Sequence, residues 1–266
     1  MNVAYHPPAE VKIVSGDGNA RGARVAVLEC LNSDRELSEY FLRVAASMLS
    51  EPANAEAQFE RALSAVIALF RKLEQPAARS VQGLWAELVL VQWAREPEGA
   101  IASWHSSPTQ LHDFASGAHR LEVKSTQKGL REHSFSLEQL RLAVTSGCTL
   151  IASMMIQERG DGATVFDLVE AIGKRVTSRD LVARVESIVA ETLGASWREA
   201  HAMRFGIAGA RDSFRLYRAE DVPTVPQPLP AQVKNVRFDV DLSGLMSLDM
   251  PDARAMGALF AQLLPA

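Results

Sequence analysis

The feature that most constrains the fold of this chain is a near-continuous apolar run, TLIASMMIQ, at residues 149–157. A strand with one face in water alternates apolar and polar residues, whereas an unbroken apolar run is typical of a strand buried on both faces. Burying both faces of a sheet requires other elements packed on its two sides. The sequence therefore predicts a mixed α/β or α+β fold with a covered sheet.

The segments around this run alternate between strand and helix patterns. The N-terminal segment VKIVSGDGNARGARVAVLECL contains two β-rich runs around a Gly/Asp/Asn turn, which is typical of a hairpin. Ser33 or Asp34 is suited to cap the helix that follows. Apolar spacing predicts helices at residues 33–49, 55–72, 80–95, 165–176, 178–193 and 251–264. Short β-rich runs predict strands at 111–116, 120–126, 133–137, 149–157, 213–222 and 233–242.

Composition excludes several classes of protein. With 47% hydrophobic and 23% charged residues, the chain has the balance of a globular protein, and extensive disorder is not expected. Its net charge of -4 argues against a protein that coats nucleic acid non-specifically, although it is compatible with a local basic groove. Cys30 and Cys148 are too few for a disulfide framework or a zinc site, so we expect reduced, buried thiols. The sequence shows no signal peptide and no membrane span, and we expect a cytoplasmic protein.

The candidate site lies in the segment HDFASGAHRLEVKS, residues 112–125. Glu122 and Lys124 are two positions apart on a predicted strand, so they share one face. A hairpin through Gly117 would bring the carboxylate of Asp113 close to that of Glu122. Adjacent carboxylates repel unless a cation lies between them, and a metal ion beside a lysine suits hydrolysis of a phosphodiester. On many other strands, an exposed Glu/Lys pair at this spacing is merely a solvated face.

Asp113 followed by Glu122-Val123-Lys124 resembles the PD-(D/E)xK nuclease pattern, in which an acid precedes an E-x-K strand. The neighbouring segments GLWAEL and FSLEQL strengthen the resemblance, which covers residues 80–155. The chain is similar to a bacterial group of PD-(D/E)xK-motif proteins encoded beside restriction-modification or phage-defence genes. The resemblance implies a restriction-endonuclease-like core, an α/β fold with a mixed central sheet flanked by helices.

The resemblance also divides the chain into three regions. The nuclease core is expected at residues 77–160. An N-terminal hairpin and helical region at 1–76 precedes the core, and a C-terminal α+β extension at 161–266 packs on it. Any sequence specificity is expected in the helices and strands from Phe166 onward.

The resemblance assigns a role to each candidate catalytic residue. Asp113 and Glu122 are expected to hold Mg²⁺, or Mn²⁺ in its place, with Glu87 of GLWAEL as an additional metal-directed acid. Lys124 is expected to activate or orient the attacking water. Gln139 of FSLEQL is expected to face the site or the substrate.

These roles predict a Mg²⁺-dependent DNA endonuclease of a bacterial restriction or phage-defence system. Side chains near the motif are expected to contact the nucleic acid: Arg120, Ser125, Lys128, Arg131 and His133. Because cutting both strands of a duplex requires two sites, a homodimer is one candidate assembly. An ATPase or helicase, a methyltransferase and other defence-system subunits are candidate partners.

Other interpretations of the same residues lead to different functions. One alternative is a catalytically inactive subunit of the same fold that binds DNA or partner proteins, and another is an interaction protein whose hairpin only mimics the pattern. His112-Asp113 could indicate an HD-type phosphohydrolase, but that class needs helical His/Asp ligands spread along the chain. Cys148 begins an apolar strand, which is an unfavourable setting for a nucleophile. The N-terminal G-x-G-x-x-x-G misses the dinucleotide-binding spacing.

Overall fold

The computed structural model describes residues 3–16, 18–30, 35–49, 63–64, 66–71, 77, 80–105, 110–145 and 147–265. Ser33 and Asp34, the candidate caps of the first helix, lie outside the described residues. Most of the helix predicted at 55–72 also lies outside them. The chain divides into two compact units, residues 1–75 and 76–266.

An antiparallel hairpin opens the first unit. Strand β1 (Val3–Val14) pairs with β2 (Ala20–Cys30), as the Gly-rich turn predicts. Helix α1 (Arg35–Leu49) follows, and its Phe41 ring contacts Phe70 of the next helical segment, with centroids 5.2 Å apart. The predicted hairpin and first helix are therefore confirmed.

The second unit is built on a four-stranded mixed sheet. Its strands, in spatial order, are β3 (Phe114–Ser116), β4 (His119–Thr126), β6 (Thr149–Met155) and β8 (Arg215–Arg218). The central strands β4 and β6 are parallel, whereas β3 and β8 run antiparallel to their neighbours. The predicted mixed central sheet is therefore confirmed, and the E-x-K segment lies on one of its two inner strands.

The apolar sequence of β6 accounts for the burial of this sheet. Every residue from Thr149 to Met154 is buried, as expected for a strand covered on both faces. Helix α2 (Val81–Trp93) packs against β4 and against α5 (Val165–Gly173). Burial of one large aliphatic or aromatic side chain contributes roughly 1.5–3 kcal/mol. The almost entirely buried α2 is therefore a principal source of stability for this layer.

A two-stranded ribbon joins the C-terminal region to the core. Strand β5 (Glu132–Ser136) pairs antiparallel with β9 (Arg237–Asp241). Phe135 lies opposite Phe238, and both pack in an apolar cluster that includes Ile151 of β6. The strand β9 of the C-terminal region is thereby brought next to the central strands of the sheet.

Several helices and one further strand connect these elements. They are α3 (Pro97–Ser103), α4 (Leu137–Thr145), β7 (Glu158–Ala163), α6 (Arg179–Leu193), α7 (Trp197–Ala202), α8 (Ile207–Ser213), α9 (Met250–Ala255) and α10 (Ala258–Leu263). Among the described residues, no helix has the length and hydrophobicity needed to cross a membrane.

The single helix predicted at 251–264 is wrong, because the chain forms two short helices, α9 and α10, that are separated at Gly257. A Cβ atom added at Gly257 would lie 2.4 Å from Nε2 of His119. Glycine therefore leaves the room that this imidazole occupies. Apolar periodicity alone cannot show such an approach between segments that are distant in sequence.

Both cysteines are free thiols, as expected, but they are half-buried rather than fully buried. Burial raises the pKa of the Cys148 thiol. A raised pKa lowers the thiolate fraction, and the thiolate is the nucleophilic form. The structure therefore gives Cys148 no features of an activated nucleophile.

Candidate active site

One cleft contains all the candidate catalytic residues. It has a volume of about 600 Å³ and is lined by parts of α2, β4, the start of α4 and the β5–β9 ribbon. The acids that line it are Glu87, Asp113, Glu122 and Glu132, and Lys124 and Gln139 lie among them. Side chains from separate segments of the chain are therefore brought to one place.

Glu122 and Lys124 extend from the same face of β4. Lys124 Nζ lies 2.8 Å from Glu122 Oε1, and the two side chains are 18% and 5% exposed. The Lys124 ammonium also lies over the ring of Phe135, 5.1 Å from its centroid. On the opposite face of the strand, Leu121 and Val123 are buried in the core. The pair is therefore part of a cleft wall, and a merely solvated face is excluded.

Asp113 is held against the strand that carries Glu122. It lies one residue before β3, where the antiparallel register of the hairpin puts it opposite Glu122. The hairpin turns at Gly117, whose φ of 55° is in the left-handed region that glycine adopts without a steric penalty. Asp113 is 2% exposed, and its Oδ2 accepts a 2.8 Å hydrogen bond from the backbone N–H of Val123. The predicted hairpin through Gly117 is confirmed, and a close approach of the Asp113 and Glu122 carboxylates stays a prediction.

Gln139 connects the first turn of α4 to the cleft. Its Nε2 donates a 2.7 Å hydrogen bond to Glu122 Oε1, and its Oε1 accepts one of 2.9 Å from the backbone N–H of Ser136. The Ser136 hydroxyl accepts a 3.2 Å hydrogen bond from the Gln139 N–H, which completes a reciprocal capping box. His112 Nε2 donates to the Gln139 carbonyl at 3.1 Å, and burial lowers the pKa of His112. The Gln139 amide is therefore fixed toward Glu122.

Glu87 is a buried carboxylate on the otherwise apolar helix α2. The helix begins after Ser80, whose hydroxyl accepts a 3.1 Å hydrogen bond from the N–H of Gly83. Glu87 is 3% exposed, and its Oε2 accepts a 2.7 Å hydrogen bond from the indole Nε1 of Trp104. Nε2 of His105 lies 2.7 Å from the same oxygen. A buried acid requires polar partners, and Glu87 finds them in the indole of Trp104 and the imidazole of His105.

Three of these side chains form a group that could hold a metal ion. Ligand atoms of Glu87, His105 and Asp113 all lie within 4.8 Å of one another. In the same cleft, the buried Oε2 of Glu122 has no hydrogen-bond partner among the described residues. A buried oxygen without a partner is costly unless a cation or a water satisfies it. The chemistry of these oxygen and nitrogen donors therefore fits a divalent ion.

Three of the residues predicted to contact nucleic acid, Ser125, Arg120 and Lys128, lie in three different places. Ser125 lines the cleft, where its hydroxyl accepts a 3.1 Å hydrogen bond from Gln82 Nε2. Arg120 donates hydrogen bonds of 2.6 and 2.8 Å to carbonyl oxygens of its own hairpin. Lys128 forms an ion pair with Glu132 and lines a separate cleft of about 840 Å³. Contact between these side chains and nucleic acid stays a prediction.

Arg131 and His133 are buried and bonded within the protein, and their contact with nucleic acid stays a prediction. Arg131 is 8% exposed, and its guanidinium donates to the carbonyl and hydroxyl oxygens of Ser153 at 3.2 and 2.9 Å and to the carbonyl of Ser213. His133 Nε2 lies 2.8 Å from the same Ser153 hydroxyl. Burial lowers the pKa of His133 to about 4, so its imidazole is uncharged at neutral pH. Both side chains join the segment of β5 to Ser153 of β6, and His133 also lines the cleft.

Two residues beside the catalytic candidates were not identified from the sequence. His105 reaches Glu87 from the segment after α3, and its φ of 41° is in the left-handed region. Arg237 lines the cleft from β9, opposite Ser136. The alternating segment RFDVD indicates the strand that carries Arg237, but only the pairing of β9 with β5 shows where the strand lies. His105 belongs to no recognised spacing with the motif.

Comparison with known proteins places this chain in a family. No curated protein and no solved structure matches the chain. A family model described as "Putative PD-(D/E)XK family member, (DUF4420)" matches residues 9–243. The match spans most of the chain and includes the complete cleft wall of β4. The protein therefore belongs to this PD-(D/E)XK family.

Proposed function

We propose that this protein is a cytoplasmic, divalent-metal-dependent endonuclease that hydrolyses phosphodiester bonds of DNA in a bacterial restriction or phage-defence system. The observation that carries the proposal is the meeting of three buried carboxylates and a lysine in one cleft, namely Glu87, Asp113, Glu122 and Lys124. Membership of a PD-(D/E)XK family supports the same class of reaction.

The carboxylates Glu87, Asp113 and Glu122 would hold Mg²⁺ or Mn²⁺. Several carboxylates buried in one cleft repel each other, and a divalent cation offsets that repulsion. A bound divalent ion polarises a phosphoryl oxygen and lowers the pKa of a coordinated water. The anchoring of Asp113 Oδ2 on the backbone of β4 reduces the conformational entropy that this side chain loses when it binds a cation.

Lys124 supplies a second positive charge from the chain itself. Its ammonium is held on the cleft wall by Glu122 Oε1 at 2.8 Å. Three N–H donors allow it to bind an attacking water and also to stabilise negative charge that develops on the phosphoryl oxygens. Gln139 donates to the same Glu122 oxygen at 2.7 Å, which restricts the rotation of the carboxylate that positions the lysine. Glu122 would therefore position Lys124 as well as bind metal.

Local charges must attract the substrate, because the net charge of the chain is -4. Arg237 is exposed at the cleft and is suited to a phosphate contact, and Ser125 can add a hydrogen bond. Arg120 and Lys128 are candidates for contacts with flanking phosphates. A homodimer would supply the second site for a double-strand cut, and an ATPase or helicase, a methyltransferase or another defence-system subunit would complete the assembly.

Metal titration combined with a cleavage assay tests this function. Wild type, Asp113→Asn and the exposed control Asp161→Asn are titrated with Mg²⁺ and Mn²⁺ and incubated with supercoiled plasmid and with RNA. Asp161 is a suitable control because it lies on the surface in an ion pair with Arg159. We expect wild type and Asp161→Asn to bind metal and to nick the plasmid, and Asp113→Asn to lose both properties. Metal binding and DNA binding without cleavage would support the inactive subunit instead, and unchanged metal binding by Asp113→Asn would contradict the site.

A further inference from the structure

The contact between His105 and Glu87 is much more buried than the contact between His6 and Glu29. His105 Nε2 lies 2.7 Å from Oε2 of Glu87, an acid that lines the cleft, and the side chains are 17% and 4% exposed. On the N-terminal hairpin, His6 Nε2 lies 3.2 Å from Glu29 Oε2, with side chains 59% and 48% exposed. Water screens the hairpin contact, whereas the contact of His105 with Glu87 lies beside a second buried acid, Asp113.

The backbone directs His105 into this position. The backbone N–H of His105 donates a 2.9 Å hydrogen bond to the carbonyl of Asp113, and Trp104 forms a β-bridge with Phe114. The indole of Trp104 donates to the Glu87 oxygen that His105 also contacts. The segment that carries the imidazole is therefore attached to both acids of the group.

We propose that His105 is a metal ligand together with Glu87 and Asp113, and that its imidazole makes the site select a transition-metal ion such as Mn²⁺ over Mg²⁺. This proposal rests on the metal-dependent function proposed above and specifies its ion. Mg²⁺ prefers an all-oxygen shell and keeps its waters, whereas imidazole nitrogen favours first-row transition metals. Two neighbouring ligand atoms at roughly 2.1 Å from one octahedral ion lie about 3 Å apart, close to the separation of His105 Nε2 and Glu87 Oε2.

A second observation in the same cleft supports a bound cation. Glu122 is 4% exposed, and its Oε2 has no hydrogen-bond partner among the described residues. Its other oxygen is already occupied by Lys124 and Gln139. A cation or its coordinated water would satisfy the remaining oxygen.

Calorimetric titration with each metal alone measures the preference. Wild type, His105→Gln and the control His6→Gln are titrated with Mn²⁺ and with Mg²⁺. We expect wild type and His6→Gln to bind Mn²⁺ at least about tenfold more tightly than Mg²⁺. His105→Gln replaces the nitrogen by an amide oxygen, so its Mn²⁺ affinity should fall roughly tenfold or more and the preference should largely disappear.

Pulsed electron paramagnetic resonance of Mn²⁺-loaded wild type tests the ligand without a substitution, which keeps the proposal testable if His105→Gln does not fold. We expect the nitrogen coupling of a directly bound imidazole. Mn²⁺ binding without that coupling, or with an unchanged preference in His105→Gln, would overturn the role of His105 and leave the proposed nuclease function intact. A wild-type protein that binds neither ion would overturn the metal site itself.

Discussion

Two glutamate–lysine pairs in this protein have nearly the same geometry in very different surroundings. In the cleft, Lys124 Nζ lies 2.8 Å from Glu122 Oε1, with side chains 18% and 5% exposed. At the C-terminal end of α5, Nζ of the cap residue Lys174 lies 2.6 Å from Glu170 Oε1, with side chains 72% and 55% exposed. The distance between the charged atoms therefore does not distinguish a functional pair from a surface pair, whereas burial does.

Burial gives the E-x-K pair a different energetic cost from that of the surface pair. The surface pair forms because residues four positions apart are neighbours on a helix, and water continues to solvate both charges. Burying the charges of Glu122 and Lys124 costs free energy that their attraction only partly offsets. A chain retains such a buried pair most readily where chemistry uses it. The burial of the pair on β4, an inner strand of the sheet, thus makes this short motif an indicator of function.

Removing the lysine of each pair is expected to give the largest difference, and this difference is in the rate of DNA cleavage. Lys124→Ala should reduce DNA cleavage by about a thousandfold or more, because it removes the charge that stabilises the reacting phosphate, while metal binding is largely retained. Lys174→Ala should cleave as wild type does. Plasmid nicking rates and metal titrations of both variants measure the effect. Equal cleavage by wild type and Lys124→Ala would remove the proposed role of the lysine.

The second prediction compares a buried and an exposed arginine. Arg131→Met leaves oxygens of Ser153 and Ser213 without their donor, so we expect the free energy of unfolding to fall by about 3 kcal/mol. Arg159→Met removes only an exposed pair with Asp161, and stability should hardly change. Urea unfolding of both variants provides the comparison. A loss of DNA affinity in Arg131→Met without a loss of stability would support a phosphate-binding role of Arg131 over a structural one.

The third prediction concerns pH and His133. Its folded-state pKa of about 4 lies below its ordinary value of 6.5, mainly because of burial and also because of the nearby charges of Lys124 and Arg131, with Asp241 acting in the opposite direction. Between these values the unfolded chain binds more protons, so this contribution to stability is present above pH 6.5 and is lost as the pH falls toward 4. Between pH 7.5 and pH 5 the loss should be about 2 kcal/mol. His133→Gln should lack this part of the pH dependence, and parallel profiles for both proteins in urea unfolding would argue against it.

The smallest expected effect belongs to the surface pair. Glu170→Gln should change the free energy of unfolding by about 0.5 kcal/mol or less, because the pair is solvated and screened by salt. Thermal unfolding at low and high salt measures it. A fall of several kcal/mol in the free energy of unfolding would show that solvent exposure does not make the surface pair weak.

Much of the fold could be predicted from the sequence because it depends on local patterns. The apolar run of β6, the hairpin at Gly117 and the helix that carries Glu87 all follow from periodicity and turn residues. The split of the last helix could not be predicted, since Gly257 makes room for the ring of His119, which lies far away in the sequence. Local periodicity contains no information about such contacts.

The same distinction applies to the candidate site. Asp113, Glu122 and Lys124 are close in sequence, and strand geometry predicts their meeting. His105 could not be predicted, because its direction depends on a left-handed backbone and on hydrogen bonding to the Asp113 segment. The direction of Arg131 could not be predicted either, because its hydrogen bond to Ser153 depends on the packing of β5 against β6.

The proposed function requires that the carboxylates in the cleft and Lys124 act together with a divalent ion to cut DNA. The most direct measurement is nicking of supercoiled plasmid by wild type, Glu122→Gln and Glu170→Gln, each with Mn²⁺, with Mg²⁺ and with a chelator, and with the candidate partner subunits present. We predict metal-dependent nicking by wild type and by Glu170→Gln, and its loss in Glu122→Gln. Nicking by Glu122→Gln at the wild-type rate, or nicking that persists in the chelator, would rule out a metal-dependent reaction at these carboxylates.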